Sequence, residues 1–200
     1  MTLADKITSS RLVLAPMFFV VYFFPRLCPS VLEAPKWTVP FLWILFLLCE
    51  ITDMLDGFLA RKRGEVSDFG KLYDPFADTL TQVTFFFCFV LDGILPPILF
   101  LVVLYREFSI LFIRNLMLKK GIAMGARKGG KVKTVAYILA AGLALLASSV
   151  LRFSSGGELY RWLVVASTGV FIVSVVFAVV SFIDYFIIYR KLETGSGTKK

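Results

Sequence analysis

Long apolar stretches, each broken from the next by a short polar turn, dominate this chain. They fall at 12–28, 38–60, 72–95, 97–118, 132–151 and 162–189, each near or above the roughly 17 residues that a membrane-spanning helix needs. The pattern predicts six transmembrane helices, and so an all-α integral membrane protein. Carboxylates interrupt the second and third stretches, and Arg106-Glu107 interrupts the fourth. Residues 2–11 alternate polar and apolar positions and read as a short interfacial segment lying along the membrane surface before the first span. No small-residue cleavage site follows a short apolar core, so 12–28 reads as a retained span and not as a signal peptide. Residues 194–200, Thr-Gly-Ser-Gly-Thr-Lys-Lys, read as a flexible tail on a single domain covering 1–200. The chain shows no internal repeat of the kind that inverted-topology transporters carry.

Composition agrees with the pattern: 58% of residues are hydrophobic, 18% are charged, and the mean hydropathy is +0.81. The formal net charge of +8 invites a nucleic-acid reading, but the positions of the cations argue otherwise. With both termini on the cytoplasmic side, seventeen Lys and Arg residues gather there and four (Arg26, Lys36, Arg152 and Arg161) fall on the other, with Arg106 inside a span. That bias is the positive-inside rule and not a nucleic-acid footprint. Cys28, Cys49 and Cys88 sit in or beside apolar runs without metal-like spacing, and are expected to pack.

The polar residues inside the spans carry the chemistry. Asp53-x-x-Asp56-Gly57-x-x-Ala60-Arg61 is followed, after eight residues, by Gly70-x-x-x-Asp74-x-x-x-Asp78. On helices, Asp53 and Asp56 share a face, as do Asp74 and Asp78, so two helices aim two carboxylates each into one cleft. An isolated aspartate at membrane depth costs roughly 2.5–3.5 kcal/mol, so four need compensating cations. Oxygen donors suit hard divalent ions such as Mg²⁺ or Mn²⁺.

This spacing resembles the signature of the CDP-alcohol phosphotransferase family at all eight defined positions. The resemblance implies a six-helix enzyme that cleaves a CDP-linked donor, passes the phosphoalcohol to an acceptor hydroxyl and releases CMP. It further implies two divalent cations on Asp53, Asp56 and Asp74, with Asp78 as general base and as a further metal ligand. The chain has no His, which leaves a carboxylate as the natural base. Gly57, Gly70 and Ala60 allow close approach of a nucleotide, and Arg61 either grips a phosphate or orients a ligand carboxylate. Helix packing is an equally good account of Gly57 or Ala60 taken alone.

The acceptor must be read elsewhere. Arg106, Arg114, Lys131 and Lys133 are suited to surround an anionic acceptor. Their arrangement, with the lead-in Ile7-Thr8-x-x-Arg11-x-x-x-x-Pro16, resembles bacterial phosphatidylglycerophosphate synthases. That resemblance implies CDP-diacylglycerol as donor, glycerol 3-phosphate as acceptor, a homodimer, and a bacterial cytoplasmic membrane with the active site facing the cytoplasm. Thr79 and Tyr73 depart from the common Lys and Leu. Other acceptors remain open: inositol phosphate, inositol, serine, or diacylglycerol with CDP-choline. A divalent-cation transporter would explain the aspartates but neither Ala60-Arg61 nor the basic cluster. Basic loop residues such as Lys131 and Lys133 also enforce topology and attract anionic lipid. Glu107, next to Arg106, projects about 100° away around a helix, so adjacency alone does not make it the partner of Arg106. Glu50 is expected to support the aspartates or pair with Arg106, and Asp184 to act as a structural partner.

Overall fold

A computed structural model describes residues 3–28, 34–63, 68–121, 128–154 and 156–196, with the side chains of 3–4, 34–35, 57–63, 68–69, 71, 128–131 and 192–196 outside that description. Six helices follow one another: α1 (Leu3–Leu27), α2 (Ala34–Arg63), α3 (Asp68–Leu91), α4 (Pro97–Lys119), α5 (Lys128–Phe153) and α6 (Glu158–Ser196). Each holds one of the six apolar stretches, except that α1 ends at Leu27, one residue short of the first stretch, and α3 ends at Leu91, where 92–95 turn toward α4. Four of them, α1, α2, α5 and α6, are long and apolar enough to cross a membrane. In α3, Asp74 and Asp78 lower the hydropathy, while any long window of α4 takes in Arg106, Glu107 and Arg114 together.

Both ends of the chain differ from the sequence expectation. The 2–11 segment does not lie apart from the first span: α1 is continuous from Leu3, and Asp5, Thr8 and Arg11 are buried. The partners of Thr8 and Arg11 on α2 and α3 draw this segment into the bundle. At the other end, α6 continues through Ser196, so the first residues of the expected tail are helical, and 197–200 lie outside the described residues.

The helices pack as two groups, α1 with α2 and α3, and α4 and α5 with α6, joined through α3·α4, α2·α5 and α3·α5 contacts. Aromatic rings fill the first group. Phe18 meets Phe85 with centroids 4.6 Å apart, Phe46 meets Phe85 at 5.3 Å and Tyr22 meets Phe89 at 5.8 Å, within the range where edge and offset contacts add to simple burial. Small residues carry the second group: Ala140, Ala144 and Ala147 of α5 and Ser167, Ser174 and Ala178 of α6 are fully buried or nearly so. Where lipid supplies no hydrophobic drive between helices, such small side chains let backbones approach. Large apolar residues such as Ile44, Leu47, Val176 and Val180 face outward, as a lipid-facing surface requires.

Candidate active site

Alternating helix direction brings the start of α1, the end of α2 and the start of α3 to the same end of the bundle as the start of α5 and the later turns of α4 and α6. A cavity of about 250 Å³ opens there, lined by Asp53, Asp74, Asp78, Arg106, Glu107, Arg114 and Lys133, with Thr79, Ser181 and Tyr185 among its other polar residues. Ladder carboxylates and candidate acceptor cations thus share one space.

The carboxylate wall is organised by α1. Arg11 is 1% exposed, and its guanidinium forms ion pairs with Asp53 and, at 2.5 Å, with Asp56. One turn earlier, the Thr8 hydroxyl lies 2.9 Å from carboxylate oxygens of both Asp56 and Asp74, tying α2 to α3. Asp56 is buried behind the cavity, whereas Asp53 opens toward it with 39% of its side chain exposed. Asp78 accepts a 2.9 Å hydrogen bond from Gln82 one turn later on α3, which fixes one carboxylate oxygen. Tyr73, the departure from the common Leu, meets Ser9 hydroxyl to hydroxyl at 2.9 Å, another α1–α3 link.

The opposite wall has inverted charge. Glu107 accepts hydrogen bonds from Arg106 Nη1 and Lys133 Nζ, both at 2.8 Å, and all three side chains are nearly inaccessible. Helix geometry alone left this pairing of adjacent residues open, and the structure shows it. The Arg106 side chain is long enough to fold back, and its Nε is held by the Ala178 carbonyl of α6 at 3.0 Å. Arg106 therefore has partners other than Glu50. Arg114 donates to the Tyr185 hydroxyl at 3.1 Å, and its guanidinium carbon lies 5.5 Å from the Tyr185 ring centroid.

Of the residues expected at the site, Asp53, Asp74, Asp78, Arg106, Arg114 and Lys133 converge on the cavity. Gly70 is buried in the first turn of α3. The side chains of Gly57, Ala60, Arg61 and Lys131 lie outside the described residues. Asp184 is not on the cavity wall. Sequence reasoning missed the parts of Thr8, Arg11, Ser181 and Tyr185. The first two were visible only as a lead-in motif, although an Arg bordering an apolar run always needs a partner. Ser181 and Tyr185 sit in an ordinary apolar stretch and gave no signal.

Among the described residues, no three acidic or thiol side chains converge tightly enough to enclose an ion, and Arg11 supplies the positive charge between Asp53 and Asp56. The all-oxygen donors on the cavity wall nonetheless fit a hard divalent cation in chemistry.

The chain is similar to several known proteins over most of its length. A phosphatidyltransferase named CDP-diacylglycerol–glycerol-3-phosphate 3-phosphatidyltransferase from Treponema pallidum is 39% identical over 92% of this chain and 88% of its own length. A protein of the same name from Bacillus subtilis is 33% identical over 72% of this chain and 76% of its own length. A probable phosphatidylglycerophosphate synthase of Mycobacterium tuberculosis is 30% identical over 99% of this chain and 85% of its own length. The family model of the CDP-alcohol phosphatidyltransferases matches residues 1–180, which takes in the cavity-lining residues of α2 to α5 and ends just before Ser181 and Tyr185 of α6, and the chain belongs to that family.

Proposed function

We propose that this protein transfers the phosphatidyl group of CDP-diacylglycerol to glycerol 3-phosphate, giving phosphatidylglycerophosphate and CMP. The observation that carries the reading is the single cavity in which Asp53, Asp74 and Asp78 face Arg106, Arg114 and Lys133. A carboxylate wall suits the cation-bound pyrophosphate of the donor, and a cationic wall suits an acceptor with its own phosphate. The names of the relatives from Treponema pallidum and Bacillus subtilis support the same donor and acceptor.

In this reading Asp53, Asp56 and Asp74 hold two divalent cations, Mg²⁺ or Mn²⁺, with Asp78 at their edge. When bound, the cations neutralise the pyrophosphate and the charge that develops on the leaving oxygen. Asp78 accepts the proton of the acceptor's 1-hydroxyl as its oxygen bonds to the β-phosphorus. The bond from that phosphorus to the bridging oxygen breaks, and CMP departs with the electron pair. Gln82 holds the Asp78 carboxylate in place for the proton. Gly57, Ala60, Arg61 and Gly70 are assigned to the nucleotide side, and Arg106, Arg114, Lys131 and Lys133 to the acceptor phosphate.

The proposal places all six helices across the bacterial cytoplasmic membrane, with the cavity toward the cytoplasm, because the basic residues cluster at that end. The charges of α3 and α4 that depress their hydropathy line the interior cavity, where lipid does not meet them. A homodimer is included on the family resemblance. An acceptor screen tests the reading: purified protein with CDP-diacylglycerol releases CMP with glycerol 3-phosphate. Release only with inositol phosphate, inositol or serine replaces the acceptor, and metal flux without CMP release replaces the enzyme.

A further inference from the structure

The four cations proposed for the acceptor do not stand in the same condition. Arg106 and Lys133 share Glu107 at 2.8 Å each, and Arg106 Nε is held by the Ala178 carbonyl. One carboxylate answers one of their two charges, and these contacts fix both side chains in place. Arg114 pairs with no carboxylate among the described residues; its hydrogen-bond partner is a neutral hydroxyl, that of Tyr185. Its buried Nε has no hydrogen-bond partner. A guanidinium with spare donors on the wall of a low-dielectric cavity is poised for an anion from outside the chain.

Tyr185 aims this guanidinium. It is 2% exposed on α6, lines the same cavity, accepts from Arg114 Nη2 at 3.1 Å and presents its ring 5.5 Å from the guanidinium carbon. Two contacts of different geometry, hydroxyl and ring face, restrict an otherwise flexible side chain.

Resting on the acceptor reading above, we infer that Tyr185 is a positioning residue for acceptor specificity: it orients Arg114 onto the phosphate of the acceptor, while Arg106 and Lys133, fixed on Glu107, form the rigid part of the same phosphate site. Because an oriented Arg114 binds the phosphate before and during transfer alike, its loss raises KM for the acceptor and leaves kcat.

The test is steady-state kinetics of CMP release by the full chain carrying Tyr185→Phe, Arg114→Gln or both. Tyr185→Phe is expected to raise KM for glycerol 3-phosphate about 3–10-fold, the size of one lost hydrogen bond, and Arg114→Gln about 10-fold or more. KM for CDP-diacylglycerol and kcat stay within about 2-fold. In the Arg114→Gln background, Tyr185→Phe adds less than about 2-fold, because its effect runs through Arg114. Tyr185→Trp, which keeps an aromatic face and removes the hydroxyl, carries the same expectation if the Phe variant fails to fold. Unchanged acceptor KM in Tyr185→Phe, or a full additional effect in the double variant, overturns the inference while leaving the acceptor reading intact. A wild-type protein that releases no CMP with glycerol 3-phosphate overturns both.

Discussion

The two walls of the cavity are built as charge inversions of each other. On one, a single cation, Arg11, is held between Asp53 and Asp56; on the other, a single anion, Glu107, is held between Arg106 and Lys133. They differ in access and in what is left over. The side chains of Glu107, Arg106 and Lys133 are each at most 7% exposed, whereas Asp53 is 39% exposed. The carboxylate wall also has Asp74 and Asp78 beyond the reach of Arg11's two ion pairs. Each triad leaves one net charge, negative around Arg11 and positive around Glu107; the first wall adds Asp74 and Asp78, and the second adds Arg114. The first is made to take up positive charge on an open face, and the second to meet an anion with two cations fixed in place and a third, Arg114, without a carboxylate partner among the described residues.

The contrast is broken most severely at Asp78. Asp78→Asn is expected to lower kcat for CMP release by about 10²–10⁴-fold, the range for loss of a general base, with insertion and thermal unfolding near wild type. Asn keeps the hydrogen-bond acceptor for Gln82 and loses only the proton acceptor. Robust turnover would leave the carboxylate wall without its assigned base. Chelation of divalent cations is expected to abolish activity, with recovery on adding Mg²⁺ or Mn²⁺. Full activity in excess chelator would show that Arg11 alone suffices to balance that wall.

Glu107 probes the other wall. Removing one partner of a buried charge group typically costs about 3–5 kcal/mol, since the remaining charges are left facing one another. Glu107→Gln is therefore expected to lower the thermal unfolding midpoint sharply in detergent, more than Asp53→Asn, whose site is already part-exposed. Equal losses would mean that the two inversions are alike and that exposure does not separate them.

Much of this was legible in the chain. Six helices and the sharing of one cleft by Asp53, Asp74 and Asp78 follow from apolar length and helical spacing, both local properties. The charge partners were not legible, because each joins residues distant in sequence: Arg11 meets Asp56 across 45 positions and Lys133 meets Glu107 across 26. The exception is instructive. Arg106 and Glu107 are neighbours, and helix geometry alone left their pairing open. The Ala178 carbonyl on α6 turns the guanidinium back, so a tertiary contact decides a local question. Tyr185 was hidden for the same reason, since a tyrosine in an apolar span becomes informative only when the helix opposite is known.

The smallest expected effect lies at the far end of the bundle, where the same charge grammar recurs away from the cavity. Asp92 follows the last turn of α3, where Gly93 adopts the left-handed conformation (φ 72°) that reverses the chain. It accepts from the Tyr22 hydroxyl at 2.7 Å and from Arg26 at 2.6 Å. Arg152 stacks 4.7 Å above the same Tyr22 ring and donates to Thr38 at 2.7 Å, joining α1, α2, α3 and α5. This knot is roughly 25 Å from Asp74, given the rise of about 1.5 Å per residue along α3. Asp92→Asn retains an acceptor for Tyr22 and removes the ion pair to Arg26, whose side chain is 60% exposed. An exposed pair of this kind contributes about 0–1 kcal/mol, so the unfolding midpoint should fall only slightly, with both KM values and kcat at wild-type levels. The variant separates charge from location: if it impaired turnover as Glu107→Gln should impair stability, the two walls would owe their importance to being ionic, and not to facing the cavity.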